Sequence, residues 1–366
     1  MDNTYRPTPG TLVGDLETPC LVLDLDALDH NMDVMADYYR GRSAKLRPHS
    51  KNHKTPALAH RQMRRGGTIG GVCAAKVSEA EVMVNGGIPS VFITSEIVDP
   101  QKIDRLCTLA QQTEMLVACD DPENARALSQ AAMAKGVDLG VVVEIETGLR
   151  RCGIREIGQG VDLAKVINSL PALTFRGIMS HQVIPAMPER EDRVTEGRRL
   201  IQPVIDLKDA IVDVGIPVEI VSTGETWSYD VAGEIPGVTE IQGGSYLVME
   251  TAYGYMSEFH HAGKVLTTVI SKPRPGTAVG DAGLKTLSAL RDLPLVEGRA
   301  GIAVESMDAN HIVFHLDDGV NLRVGDKLTL LPSQQDATVS RWDRFIGIRN
   351  GQVEAVWDIQ ARGCHS

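Results

Sequence analysis

Short runs rich in β-branched residues recur through the middle of the chain. They lie at 45–50 (KLRPHS), 68–74 (TIGGVCA), 90–95 (SVFITS), 114–120 (EMLVACD), 138–146 (DLGVVVEIE), 174–180 (TFRGIMS), 217–223 (PVEIVST) and 238–243 (VTEIQG). Most are nearly continuous apolar stretches rather than alternating ones, the pattern of strands buried on both faces. The segments between them have helix-forming composition. Residues 55–65 (TPALAHRQMRR) predict one helix. Ser78-Glu79-Ala80-Glu81 has capping-box spacing at the start of another. Asp121, Pro122 and Gly136 supply an N-cap, a first-turn proline and a terminal glycine for a third. Strand–helix alternation repeated over eight strands predicts a (β/α)8 barrel of TIM type, in the α/β class. An open doubly wound sheet is the alternative. It is weakened because no Gly-x-Gly-x-x-Gly follows an early strand.

The pattern differs at both ends. A strand at 20–25 (CLVLDL) precedes a helix over about 27–40, entered through Asp24 or Asp26. Beyond the barrel, short strands are predicted at 264–271, 301–306, 311–316, 327–331 and 352–358, punctuated by the turn sequences PRPG, DDG, VGD and RNG. The expected organisation is an N-terminal segment over 1–25 packed with a β domain, a barrel over 26–255 and an all-β domain over 256–366. A length of 366 residues suits two domains.

Composition narrows the partners. Lysine and arginine number 37 against 48 acidic residues, a net charge of −11 that disfavours nucleic acid as the main partner. No run of about 18 apolar residues is present to cross a bilayer. The six cysteines are scattered, without a Cys-x-x-Cys pair, which points to a reducing cytoplasm.

Active sites of such barrels stand at the C-terminal ends of the strands. After strand one comes Arg47-Pro48-His49-Ser50-Lys51-Asn52-His53-Lys54, with three cations and two histidines among eight residues. In solution such a segment is a solvated basic turn. At a barrel mouth a desolvated lysine near other cations loses basicity and becomes a nucleophile suited to Schiff-base chemistry. After strand five, glycines bracket Arg150 and Arg151, either an exposed turn or a guanidinium aimed at an anion. Strand six ends at Ser180-His181-Gln182, strand seven at Ser222-Thr223-Gly224, and strand eight at Gly243-Gly244-Ser245-Tyr246. The last two are small, hydroxyl-bearing loops of the kind that cradles a phosphate. Together with a lysine after strand one they point to pyridoxal 5'-phosphate.

These segments resemble the D-threonine aldolase/D-serine dehydratase family of pyridoxal-phosphate enzymes, which have an alanine-racemase-like barrel and a C-terminal β domain. The resemblance runs from Thr18-Pro19-Cys20 through Gly71-Val72-Cys73-Ala74-Ala75-Lys76, Arg151-Cys152-Gly153 and Asp281-Ala282-Gly283-Leu284-Lys285 to Val353-Glu354-Ala355-Val356-Trp357. It implies that Lys51 binds the cofactor and that Arg151 lies beside its phenolic oxygen. It implies too that Ser222, Thr223, Gly224, Gly243, Gly244, Ser245 and Tyr246 surround its phosphate. The family usually has a tyrosine where His181 stands, near the pyridine nitrogen. In the β domain the family carries a divalent-metal segment of the form Pro-x-His-Cys-Asp. This chain reads Pro332-Ser333-Gln334-Gln335-Asp336, so Asp336 and Gln334 are the remaining metal candidates, better suited to Mg2+ or Mn2+ than to zinc. His311 is a further candidate, for a polar role toward the substrate β-hydroxyl or for plain structure. The implied activity is a retro-aldol lyase on a β-hydroxy-α-amino acid, acting as a homodimer. Dehydration of a D-serine or 3-hydroxyaspartate type substrate, racemisation, a non-catalytic pyridoxal-phosphate carrier and a purely structural barrel are the alternatives.

Overall fold

The computed structural model describes residues 5–182 and 187–366. The first four residues of the expected N-terminal segment lie outside that range. The chain forms two compact units. One takes the chain up to Val34 together with Asn52–Thr55 and Ser245–Gly363; the other takes Met35–Lys51, Pro56–Gly244 and Cys364–Ser366.

Strand β1 (Cys20–Asp24) is the first described strand and leads into helix α1 (Leu25–Tyr39). Asp24 caps that helix, its Oδ1 accepting the N–H of Ala27 at 3.1 Å. The eight predicted inner strands then follow as β2 (Lys45–Leu46), β3 (Val72–Ala74), β4 (Ser90–Glu96), β5 (Glu114–Cys119), β6 (Leu139–Glu144), β7 (Leu173–Met179), β8 (Ile220–Ser222) and β9 (Glu240–Ile241). They alternate with α2 (Pro56–Arg65), α3 (Val77–Asn85), α4 (Pro100–Ala110), α5 (Pro122–Lys135), α6 (Ile157–Ser169), α7 (Arg190–Asp213) and the short α8 (Tyr229–Ala232). All pairings in this sheet are parallel, in the order β2-β9-β8-β7-β6-β5-β4-β3. Bridges Leu46↔Thr68 and His49↔Cys73 join its two ends and close the barrel. The (β/α)8 expectation therefore holds. Cys73, Phe92, Leu116, Ala118, Val142, Met179 and Ile220 form a buried cluster contributed by successive strands.

Two local features set the strand geometry. Arg47, one residue past β2, is buried and gives a two-pronged ion pair to Glu240 of β9, with both N···O distances 2.7 Å. Gly177 of β7 adopts φ +150°, and a Cβ there would stand 1.9 Å from the carbonyl oxygen of Ile220, so only glycine admits this close approach to β8.

Helix α5 is capped as expected: Asp121 Oδ1 accepts the N–H of Asn124 at 2.9 Å, Pro122 opens the helix and Gly136 closes it. The capping box at Ser78 is not formed. Helix α3 begins at Val77, which places Ser78 inside the first turn, where its hydroxyl donates to the Ser366 carbonyl at 2.6 Å. Glu79 Oε2 accepts the N–H of Ala75 instead, and Glu81 pairs with Arg105.

The other unit is built on a mostly antiparallel sheet of β1, β10 (Gly263–Ser271), β11 (Thr277–Gly280), β12 (Leu295–Val296), β13 (Ile302–Met307), β14 (Ile312–Leu316), β15 (Lys327–Leu331), β16 (Arg344–Arg349) and β17 (Gln352–Asp358). The N-terminal strand β1 sits inside it, antiparallel to β10 and parallel to β16. Leu16, Cys20, Val22, Leu266, Ile346 and Val353 pack together as its core. The short helix α9 (Gln335–Val339) follows β15. The sequence pattern predicted β10, β13, β14, β15 and β17 and missed β11, β12 and β16.

Candidate active site

The candidate residues of the barrel unit stand at the C-terminal ends of its strands. Lys51 lies in a 3-10 turn over Ser50–Asn52, just after β2. His49 braces that turn. Its backbone N–H donates to Gly243 at 3.1 Å, its Nδ1 accepts the N–H of Lys51 at 3.4 Å, and its Nε2 meets Thr94 Oγ1 at 3.2 Å. Ser50 adds a bond from its hydroxyl to the Cys73 carbonyl at 2.8 Å. The basic segment is thus no solvated turn: Arg47, His49, Ser50 and His53 are all buried.

Arg151 follows β6 on a loop organised by Glu146, whose Oε1 accepts the N–H groups of Gly148 at 2.5 Å and Arg150 at 2.8 Å. Gly153 turns the chain back at φ +99°, where a Cβ would lie 2.7 Å from the Glu146 nitrogen. The Arg151 side chain is half exposed, and its Nη2 lies 3.9 Å from Glu144 Oε1. Burial first, then the neighbouring Glu96 carboxyl, pushes Glu144 up to about 9. At neutral pH Glu144 is a neutral acid, so the arginine charge is not spent on an ion pair with it.

His181 is largely enclosed, with Nδ1 3.0 Å from Glu225 Oε1. Its pKa lies well below the usual histidine range, chiefly through burial and then through the positive charges of Lys51 and Arg151. Lys51, Arg151 and His181 follow three separate strands, and the charges of the first two bear on the third. Beside them Gln182 Nε2 donates to Ser180 Oγ at 2.5 Å, to Thr223 Oγ1 at 2.8 Å and to Thr147 Oγ1 at 3.3 Å. Its Oε1 is buried and has no hydrogen-bond partner among the described residues, the condition of a polar atom that awaits a ligand.

Ser222 ends β8, and its Oγ accepts from Gln242 Nε2 at 2.9 Å. Thr223 donates its N–H to the Glu240 carbonyl at 3.0 Å, and Gly224, Gly243 and Gly244 are buried beside it in the sequence of strand ends. Ser245 and Tyr246 belong to the other unit. There Ser245 Oγ accepts from Asn52 Nδ2 at 3.3 Å, and the buried Tyr246 ring packs on Phe259, centroids 5.9 Å apart. Sequence reasoning did not single out Glu144, Thr147 or Glu225. Glu225 directly follows the Ser222-Thr223-Gly224 loop, which was the one available signal.

Residues 23–251 match the family model for the alanine racemase N-terminal domain. The chain belongs to that family. Residues 262–348 match a putative serine dehydratase domain. The 3-hydroxy-D-aspartate aldolase of Paracoccus denitrificans (strain Pd 1222) is 39% identical over 367 residues, covering 97% of this chain and 94% of the relative. The crystal structure of D-threonine aldolase from Filomicrobium marinum superposes with a TM-score of 0.94 at 36% identity, covering 98% of this chain and 99% of that one. A cysteine variant of D-threo-3-hydroxyaspartate dehydratase, described as being in the metal-free form, shares the fold with a TM-score of 0.85 at 22% identity, covering 95% and 98%.

The residues at the barrel rim fit pyridoxal phosphate: a lysine on a braced turn, an unspent guanidinium, a neutral imidazole and small buried strand ends. The β-domain segment does not fit a metal. Gln334 Oε1 accepts from Ser288 Oγ at 3.3 Å. Gln335 is buried, with Nε2 donating to the carbonyls of Gly263 at 2.7 Å and Met249 at 2.8 Å. Asp336 is half-buried, and its Oδ1 accepts the N–H of Ala337 at 2.8 Å. Among the described residues no three histidine, cysteine or acidic side chains are grouped to hold an ion. His311 is a turn residue: its N–H donates to Asp308 Oδ1 at 2.8 Å, and its ring is nearly half exposed with Nδ1 3.6 Å from the same carboxylate.

Proposed function

We propose that this protein is a pyridoxal-phosphate-dependent lyase that cleaves the Cα–Cβ bond of a β-hydroxy-α-amino acid, releasing glycine and an aldehyde. The observation that supports the reading is that Lys51, Arg151 and His181 each follow a barrel strand at its C-terminal end. Full-length likeness to enzymes named 3-hydroxy-D-aspartate aldolase and D-threonine aldolase supports the bond cleaved and a substrate of D configuration.

The cofactor, when bound, supplies an electron sink for the charge left at Cα. Lys51 holds it through Nζ, on a turn whose backbone His49 and Ser50 keep in place. Arg151 offers its guanidinium to an anionic oxygen, and the raised pKa of Glu144 weakens the competition of that carboxyl for it. His181 is neutral, with Nδ1 3.0 Å from Glu225 Oε1, and a neutral imidazole has one ring nitrogen able to accept from a ring N–H. Ser222, Thr223, Gly224, Gly243 and Gly244 supply the small strand ends for the phosphate. A cytoplasmic location is in keeping with six free cysteines, four of them buried.

The reading is tested by incubating purified holoenzyme with D- and L-β-hydroxy-amino acids and scoring products. Aldehyde and glycine in equal amounts from a D substrate are expected. Ammonia and a keto acid with no aldehyde would replace the lyase assignment by dehydration. Borohydride should fix the cofactor on Lys51, and a label on another lysine would overturn the site.

A further inference from the structure

In the family that this chain resembles, the segment at Pro332–Asp336 carries a divalent cation. Here the same neighbourhood already contains a positive charge. Arg291 lies on the chain between β11 and β12, and its Nη1 is 3.4 Å from Oε1 of the buried Glu250. Its guanidinium carbon sits 5.8 Å from the centre of the Tyr253 ring, within cation–π range. Glu250 is tied to the segment through its other oxygen, which accepts the backbone N–H of Gln335 at 2.7 Å. Burial opposes the charge on Arg291, yet Glu250, Tyr253 and then Asp336 hold its pKa up.

We propose that Arg291 takes the place of the divalent metal in this unit, as a built-in cation lodged against Glu250 and Tyr253 that keeps Mg2+ and Mn2+ out. Two observations bear on it. The Glu250 carboxylate, which a hard cation beside Gln335 would draw on, already faces the guanidinium, and two positive centres sharing it repel steeply at short range. The Gln334 oxygen already accepts from Ser288, and Gln335 is held through Nε2 by two backbone carbonyls, its buried Oε1 having no hydrogen-bond partner among the described residues. A guanidinium also stays charged throughout the range where enzymes work, so the positive group does not depend on metal supply or on pH.

The inference rests on the family reading to locate the segment, and its test reads metal binding rather than turnover, so it survives or fails independently of the lyase assignment. Holoenzyme dialysed against chelator is titrated with MnCl2 by calorimetry, and its melting temperature is followed with and without Mn2+. The wild type should take up no stoichiometric Mn2+ and show no shift. Arg291→Met should bind Mn2+ at least about tenfold more tightly, and Asp336→Asn added to it should abolish that gain. Arg291→Lys, which keeps the charge, should exclude the ion as the wild type does. Stoichiometric Mn2+ on the wild type that is lost in Asp336→Asn would overturn the proposal. So would an Arg291→Met protein, folded by circular dichroism, that binds Mn2+ no better than the wild type.

Discussion

Removing the Glu240 carboxylate should be among the most damaging single changes in the barrel. Glu240 and Arg47 are 7% and 3% exposed at their side chains, and the pair is joined by two bonds of 2.7 Å. Ser90 Oγ accepts one further bond from Arg47, at 3.1 Å. Glu240→Leu leaves a guanidinium buried with that single neutral partner. The loss of one member of a buried pair costs about 3–5 kcal/mol, against a typical total stability of about 5–15 kcal/mol. Arg47→Met introduced together with Glu240→Leu removes both charges and replaces them with apolar volume, so the double variant should return to within about 1–2 kcal/mol of wild type. Urea denaturation of the four proteins in the cycle measures each quantity. Position adds a second readout. Arg47 donates its backbone N–H to Ile241 at 2.8 Å, and His49 donates to Gly243 at 3.1 Å, so the same seam carries the Lys51 turn. Borohydride fixation at Lys51 should fall in Glu240→Leu and recover in the double variant. A single variant that loses no more than about 1 kcal/mol, the worth of an exposed pair, would refute the reasoning.

Three further outcomes follow from other sites. Glu144 binds a proton up to about pH 9 in the folded protein but releases it near its ordinary value when unfolded, so its contribution to stability is full in acid and is lost as pH rises toward 9; Glu144→Gln should flatten that decline in urea melts across the range. His181 has the opposite sign: it is held neutral when folded and gains a proton readily when unfolded, so stability drops as pH falls below the usual histidine range, and His181→Asn should soften that acid limb. Gly177→Ala cannot be accommodated without separating β7 from β8, because its Cβ would stand 1.9 Å from the Ile220 carbonyl oxygen; a loss of at least about 3 kcal/mol is expected, and a melting temperature equal to wild type would contradict the observed register.

The eight barrel strands were legible because parallel strands covered on both faces leave near-continuous apolar runs, as in Leu139–Glu144. Strand β16, Arg344–Arg349, escaped notice because its neighbour across the parallel pairing is β1, more than three hundred residues earlier, and charged residues flank its short apolar centre. Strand β12 has only two residues, too few to show any period. Ser78 misled because the motif is local, while the Ser366 carbonyl that claims its hydroxyl comes from the far end of the chain. The lysine turn could be recognised from its residues alone. The neutral state of Glu144 and the braced ring of His49 could not, since both depend on which strand ends face one another. Arg291 sits in an unremarkable ALRDLP stretch, and only the fold reveals what stands beside it.

The place of β1 has a consequence for how the chain is made. Cys20–Asp24 leaves the ribosome well before both of its sheet neighbours, Gly263–Ser271 and Arg344–Arg349, which are made more than two hundred residues later. The barrel strands, all contained between Lys45 and Ile241, can pair in the meantime. Through that interval the apolar segment CLVLD has two unpaired edges and no native sheet to join. Its first opportunity comes with β10, and its second edge is covered only when β16 arrives, so a nascent chain halted before residue 344 would carry an open strand edge that the finished protein does not.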